Sequence, residues 1–263
     1  MKLLIAIPAL NEEASIEAII ERSLEARTCI EASVPLTEVA ITVVSDGSTD
    51  RTVELAQRYG DRIRLIIFER NRGYGAAIQS AWEESDADLL GFLDADGTCE
   101  PRFFATLARA LLEQNADIVL GCRLNARTEM PLVRQVGNRL FAVLLTSLAG
   151  RRIRDIASGM RIVRRDAYAR LKPLPHGLHF TPAMSARALL DRAAGLSLIE
   201  IDMPYHSRVG DSKLKVGKDG LRFLNVLLTT AITYRPVRTA ALLASGVLAI
   251  GGAAWRLRNC RRG

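Results

Sequence analysis

Short unbroken apolar runs alternate along the chain with stretches in which apolar residues recur every third or fourth place. Residues 2–7 form the first run, then the turn Pro8-Ala9-Leu10-Asn11-Glu12-Glu13, then Ile16, Ile19, Ile20 and Leu24 at helical spacing. Residues 39–44 predict a second strand. The loop Ser45-Asp46-Gly47-Ser48-Thr49-Asp50 follows, with Ser48 or Thr49 available to cap a helix through Tyr59. Residues 63–68 predict a third strand, and Asn71-Arg72-Gly73-Tyr74-Gly75-Ala76-Ala77 opens a helix through Glu84. The fourth strand, 89–93, runs into Asp94-Ala95-Asp96-Gly97-Thr98; a helix from Pro101 to Asn115 and a fifth strand at 117–121 follow. Apolar strands alternating with helices imply a mostly parallel sheet covered on both faces. Ligands of such sheets bind beyond the carboxyl ends of the strands, where the loops carrying Asn11, Asp46, Gly73 and Asp94 belong.

After Gly121 the pattern loosens. Residues 132–148 predict a mostly apolar helix, followed by the basic Gly150-Arg151-Arg152-Ile153-Arg154-Asp155. Ser158-Gly159-Met160-Arg161 leads into a short strand and helix, 180–194 reads as a helix and 198–203 as a last strand. Residues 208–215 make a basic, glycine-containing loop, and 219–234 are helix-compatible and largely apolar. Residues 239–255 are uncharged, about the shortest stretch that spans a bilayer.

A chain of 263 residues, 49% hydrophobic, can bury a sizeable core in one large domain. Its net charge of +7 points to nucleic acid, an anionic membrane surface or phosphate-bearing ligands. No run interleaves aromatic with basic residues, which argues against nucleic acid as the partner. Cys29, Cys99, Cys122 and Cys260 lack zinc or redox spacing and suit a reducing compartment; Cys99 and Cys122 read as small buried thiols. Pro8 and the acidic turn end the first apolar run before a signal peptide could form, so it is expected to be the first strand of a cytoplasmic domain. No internal repeat or low-complexity tract is present.

Asp94 and Asp96 carry the candidate chemistry. Two positions apart at a strand end, both point to one side in extended geometry, and two hard oxygen ligands suit Mg²⁺ or Mn²⁺ bound together with substrate phosphates. The plainer alternative is a chance pair with one aspartate capping the next helix. Other candidates carry similar alternatives. Asp46 and Ser48 suit a turn and cap, Gly73 and Gly75 a turn, and Arg151, Arg152 and Arg154 a basic surface. His179 suits either the site or ordinary packing, while Gly210 and Ser212 between Arg208 and Lys213 favour a phosphate loop.

Taken as an ordered set, the motifs resemble the family-2 glycosyltransferases with a GT-A (Rossmann-like) fold, and among them the polyprenyl-phosphate enzymes related to dolichol-phosphate mannose synthase. The resemblance spans about residues 2–236. It is carried by I-P-A-L-N-E-E at 7–13, S-D-G-S-T-D at 45–50, N-R-G-Y-G-A-A at 71–77, L-D-A-D-G-T at 93–98, G-C-R at 121–123, S-G-M-R at 158–161 and R-V-G-D-S-K-L at 208–214. It implies that Pro8, Asn11 and Glu12 line a nucleotide pocket, that Asp46 contacts base or ribose, and that Asp94 lies near ribose and diphosphate. Asp96 becomes the main protein ligand of the metal, and Arg123, Arg161, Arg208, Ser212 and Lys213 surround the donor diphosphate and acceptor phosphate. The implied reaction is inverting transfer of a sugar from a UDP- or GDP-sugar to a polyprenyl phosphate.

Three positions depart from the family pattern. Ser45 replaces the usual first of two aspartates, Thr98 stands where mannose synthases often have a metal-binding glutamine, and 179–183 lack the acidic residue many relatives carry. The missing acid fits an acceptor phosphate, which is already ionised and needs no base. A saccharide-hydroxyl acceptor, or a silent protein that binds nucleotide-sugars, is the alternative. The expected organisation is a GT-A domain at 1–215, an interfacial amphipathic helix at 216–236 and an apolar membrane segment with a basic tail at 237–263. These would hold the enzyme at the cytoplasmic face of a membrane. Arginines flank both ends of 239–255, which leaves spanning, re-entry and surface lying open.

Overall fold

The computed structural model describes residues 1–126, 128–210, 213 and 215–244. Seven strands make one sheet: β1 (Lys2–Ala9), β2 (Glu38–Asp46), β3 (Arg64–Phe68), β4 (Leu89–Leu93), β5 (Ile118–Cys122), β6 (Met160–Arg164) and β7 (Leu198–Asp202). Their order is β3-β2-β1-β4-β6-β5-β7, and every neighbouring pair is parallel except those of β6 with β4 and β5. The α/β, mostly parallel sheet expected from the apolar runs is the one observed.

The helices are α1 (Ile16–Ser33), α2 (Thr52–Gln57), α3 (Tyr74–Glu83), α4 (Phe104–Glu113), α5 (Leu132–Ala149), α6 (Arg165–Leu171), α7 (Phe180–Leu190) and α8 (Val216–Tyr234), with residues 236–244 helical after a break at Arg235. Alternate residues of β1 explain its continuous apolarity. Leu3, Ile5 and Ile7 join a core with α1 and α4, whereas Leu4 and Ala6 join one with α3, α5 and α7. A strand covered on both faces has no position for a polar residue. Trp82 anchors the second core; its indole N–H, buried among rings, donates to Gly91 O at 3.0 Å.

Several boundaries differ from the sequence reading. The helix expected through Tyr59 ends at Gln57, and neither Ser48 nor Thr49 caps it; Asp50 Oδ1 accepts from Thr52 N at 3.0 Å. The helix expected over 180–194 stops at Leu190, and the one expected from Asp219 starts at Val216. No helix among the described residues is long and apolar enough to cross a membrane. Most of 239–255, the basic tail and Cys260 lie outside the described residues.

Chain connections fix where a ligand fits. The chain passes from β1 outward to β2 and β3, then returns across β1 to β4, so the direction of winding switches between β1 and β4. A crevice opens at such a switch beyond the carboxyl ends. Here it receives the loops after β1, β2 and β4.

Candidate active site

A cavity of about 460 Å³ occupies that crevice. Pro8, Glu12, Asp46, Gly73, Asp94, Asp96, Arg123, Arg208 and Lys213 line it, which brings nine of the expected residues onto one surface. The loops are stitched by their own polar groups. Asn11, at φ 51°, sits on the rim: its N donates to Ser48 Oγ at 3.1 Å, its Oδ1 accepts from Thr49 N at 2.8 Å, and its carbonyl accepts from Lys213 Nζ at 3.0 Å. Glu12 N donates to Thr52 Oγ1 at 2.8 Å. The loop after β7 is clamped to the Asp96 loop, with His206 N donating to Thr98 O and Val209 N to Asp96 O, both at 3.0 Å. That pairing hangs Arg208 above the carboxylates.

Arg208 bridges two of them: Nη2 donates to Glu12 Oε1 at 3.3 Å and Nη1 lies 3.6 Å from Asp96 Oδ2. Its Nε–H is buried with no partner among the described residues. Burial raises Glu12, and Arg208 and then Lys213 pull it back. Asp96 Oδ1 is held by Thr98, whose N donates at 3.1 Å and whose hydroxyl donates at 2.7 Å. Thr98 thus orients Asp96 rather than facing the cavity as a further ligand. Asp94 is pushed up to about 7, first by burial and then by the charge of Asp96; the Tyr74 hydroxyl, donating to Oδ1 at 2.5 Å, works against the shift.

Asp46 turns its carboxylate on the start of α3. Its Oδ1 accepts from Arg72 N at 2.6 Å and its Oδ2 from Gly73 N at 2.9 Å. Burial raises this carboxyl and the two backbone donors oppose it. Gly73 has φ 108°, and a Cβ there would meet His176 O at 2.5 Å, so backbone geometry alone accounts for this glycine.

Arg161 is placed differently from the expectation. It is fully buried beneath the site, donating to Ser158 O, Ile156 O and Ser185 Oγ at 3.2, 2.7 and 2.9 Å, and presents no surface to a phosphate. Ser45 is also buried, its Oγ accepting from Ser48 N, and His179, just before α7, is not among the residues lining the cavity, although Leu178 and Thr181 beside it are. Ser212 lies outside the described residues. Tyr74, Tyr205 and Asn138 line the cavity without having been singled out. Tyr74 stands inside N-R-G-Y-G-A-A, so a tyrosine in a site motif was the available signal; nothing local marks the other two.

Between α5 and α8 the cavity changes character. Val133, Phe141, Leu178 and Phe223 form its wall there, and the Phe141 and Phe223 rings meet edge to face with centroids 6.1 Å apart. Outward from this wall, α5 leaves Leu132, Val136, Leu140 and Val143 53–76% exposed in one stripe.

The family model for glycosyl transferase family 2 matches residues 4–172. Among curated proteins, the chain is 32% identical over 234 residues to a low-salt glycan biosynthesis hexosyltransferase of Haloferax volcanii, covering 88% of this chain and 54% of that protein. It is 33% identical to a dolichyl-phosphate hexose transferase of the same organism, over 65% of this chain and 72% of that one. It is 28% identical to an undecaprenyl-phosphate 4-deoxy-4-formamido-L-arabinose transferase of Photorhabdus laumondii, over 95% and 74%. The chain therefore spans about half the length of the first relative and about three quarters of the other two. Among solved structures, glucosyl-3-phosphoglycerate synthase of Mycobacterium tuberculosis, in complex with Mn²⁺, UDP and phosphoglyceric acid, shares the fold. It aligns at TM-score 0.68 and 20% identity, over 88% of this chain and 78% of that one. The matched segment runs from β1 through α6 and includes both Asp94 and Asp96: the chain belongs to glycosyl transferase family 2.

Proposed function

We propose that the chain is an inverting, metal-dependent glycosyltransferase that moves a sugar from a UDP- or GDP-sugar to a polyprenyl phosphate at a membrane. The observation that carries this reading is the two-ended cavity. One end gathers the carboxylates with Arg208 and Lys213; the other, between α5 and α8, sets Arg134 and Arg222 among Val133, Phe141 and Phe223 and leads toward an exposed apolar stripe. A nucleoside diphosphate suits the first end, and a phosphate on a hydrocarbon tail needs both. One Haloferax relative is named as a dolichyl-phosphate transferase and the Photorhabdus relative as an undecaprenyl-phosphate transferase, and both names support the same acceptor.

The donor set fits a hard divalent ion. Asp96 Oδ1 is taken by Thr98, but Oδ2 meets only Arg208 at 3.6 Å, and Asp94 Oδ1 is taken by Tyr74. No cluster of three or more His, Cys, Asp or Glu that could cage a metal occurs among the described residues. Two carboxylate ligands leave coordination places for diphosphate oxygens and water, the usual mode of Mg²⁺ and Mn²⁺. Such an ion, held mainly by Asp96, would neutralise the leaving diphosphate as a Lewis acid. Arg208 offers the diphosphate an unpartnered Nε–H, and Lys213 adds a second positive charge at the rim. The acceptor phosphate arrives ionised, so catalysis rests on alignment and on charge stabilisation.

In this reading residues 1–215 are the catalytic domain and 216–236 the interfacial helix, with 237–263 following into the membrane. α5 and α8 would lie on the lipid surface: Leu221 and Ile232 of α8 are exposed like the α5 stripe, with Arg139 and Lys218 exposed beside them for anionic headgroups. The test uses membranes from expressing cells, added polyprenyl phosphate and labelled UDP- and GDP-sugars, with and without EDTA, against Asp96→Ala. Lipid-soluble, mild-acid-labile product that needs metal and Asp96 is expected. Metal-dependent turnover in folded Asp96→Ala would sink the assignment, and label in a saccharide instead of lipid would transfer it to the hydroxyl acceptor.

A further inference from the structure

Behind the cavity wall, Arg123 joins Asp155 and Asn138, two residues that the sequence motifs did not single out. Arg123 leaves the carboxyl end of β5 and reaches the cavity, yet three of its N–H groups turn back to one residue. Its backbone N and Nε donate to Asp155 Oδ2 at 3.0 and 2.8 Å, and Nη2 donates to Oδ1 at 2.9 Å. Asp155 is fully buried on the segment between α5 and β6. Its Oδ1 also accepts from Asn138 Nδ2 at 2.6 Å and from Ala157 N at 3.2 Å. Asn138, on α5, accepts in turn from Ile156 N at 3.3 Å. The Tyr205 ring packs 5.4 Å from the guanidinium carbon.

A buried carboxylate with five donors is a fixed object, because every rotation breaks several charge-assisted bonds at once. Arg123 is bound to it through the Nε–Nη2 edge and through its own main chain, which removes the freedom an arginine side chain ordinarily has. The Nη1 side of the fork is the part that Asp155 does not engage, and Arg123 keeps a small exposed surface on the cavity wall that also carries Asp94 and Asp96.

We propose that Asp155, pinned by Asn138, is a positioning residue that holds Arg123 with its free edge toward the donor diphosphate. The inference rests on the nucleotide-sugar reading of the cavity but not on the identity of the acceptor. Asp155 touches no substrate; it acts through Arg123. Arg123 is thereby held in place before the ligand arrives, and the ordering cost is met during folding rather than binding.

The test compares wild type, Asp155→Asn, Asn138→Ala, Arg123→Lys and the Arg123→Lys/Asp155→Asn pair. Each is titrated with UDP and GDP in Mg²⁺, and with uridine and guanosine as probes lacking the diphosphate. Asp155→Asn should weaken nucleoside diphosphate binding about tenfold and leave nucleoside binding unchanged. The double variant should bind no worse than Arg123→Lys, since a misplaced arginine and a missing fork lose the same contact. Asn138→Ala, which keeps the ion pair, should show a smaller loss in the same direction. A merely structural role would lower nucleoside and diphosphate binding together or give additive losses; either result overturns the proposal. So does diphosphate binding in Asp155→Asn within twofold of wild type. Wild type that binds no nucleoside diphosphate would overturn both this inference and the donor reading. Wild type that binds one but transfers nothing to polyprenyl phosphate would retire only the acceptor, with the Asp155 comparison still decisive.

Discussion

Alanine at position 159 tests how the site holds Asp94. A Cβ on Gly159 would lie 1.8 Å from Asp94 Oδ2 and 2.4 Å from its Cγ. Carbon–oxygen contacts need roughly 3.3 Å or more, so the carboxylate has to retreat by about 1.5 Å. Two bonds oppose the retreat: the Tyr74 hydroxyl donates to Oδ1 at 2.5 Å, and Asp94 N donates to Gly159 O at 3.3 Å. Losing a hydrogen bond to a charged group costs about 1.5–3 kcal/mol, and overpacking costs about 1–3 kcal/mol. One displacement relieves part of both, so Gly159→Ala should lose about 2–4 kcal/mol of stability. Turnover should fall on the order of 10²-fold, the usual effect of moving a site group by an ångström. Urea unfolding of Gly159→Ala, Asp94→Ala and the double variant separates the clash from a general loss. Without the Asp94 carboxylate the three atoms nearest the new methyl are gone. The double variant should then be about as stable as Asp94→Ala, a coupling above about 1 kcal/mol, with turnover still absent. Losses that add within about 0.5 kcal/mol, or a fully stable and active Gly159→Ala, would refute the reasoning.

Asp94 is held at about 7 by burial and Asp96, so in the metal-free protein the folded state keeps a proton that the unfolded chain releases near pH 4. Relative to Asp94→Asn, wild-type stability should therefore fall as pH rises from about 4 to about 7 and level off above; denaturation in EDTA across that range checks it, and a rising difference would contradict it. Tyr74→Phe removes the donor that opposes the shift and should extend the fall to higher pH; an unchanged upper limit would deny Tyr74 that role. Val136→Glu and Leu140→Glu change exposed positions of the α5 stripe, so stability should stay within about 0.5 kcal/mol while sedimentation with anionic vesicles is lost. Full vesicle binding by the double variant would remove α5 from the membrane surface.

The strands were legible because burial on both faces leaves an unbroken apolar run, and each run at 2–7, 39–44 and 89–93 lies inside a strand. Strand direction was not. β6 runs antiparallel between β4 and β5, and an apolar run reads the same in either direction; only the path through α5 decides it. The loop carboxylates were legible because they follow strand ends directly. Asp155 was not, since its meaning depends on Arg123, 32 residues earlier, and on Asn138 of the helix that lies between them in sequence. Arg161 shows the converse limit. An arginine in a site motif suggests a phosphate, but sequence cannot reveal that Ser158 O, Ile156 O and Ser185 Oγ enclose it and consume its donors. Its position on β6, whose strand order was also hidden, puts it under the cavity floor rather than in the wall.

Charge balance joins these pieces. Among the described residues, five cationic and four anionic side chains line the cavity, but two of the cations already have counterions behind the wall. Asp155 neutralises Arg123, and Asp219 lies 3.0 Å from Arg222. With the buried Arg161 beneath the site counted as well, these fixed charges come close to cancelling, although the chain as a whole is basic. A nucleoside diphosphate and a lipid phosphate would bring several more negative charges into this half-open crevice, where uncompensated charge on the buried side is costly. Arginine alone cannot balance that load, because Arg208 is already divided between Glu12 and Asp96. A divalent ion on Asp96 would offset two of those charges and release Arg208 from the carboxylate for phosphate. Asp94, raised first by burial and then by the charge of Asp96, points the same way: without a cation, the carboxylate pair lowers its negative charge by holding a proton. The proposed metal use therefore rests on the balance of fixed charges around the crevice as much as on the two aspartates themselves.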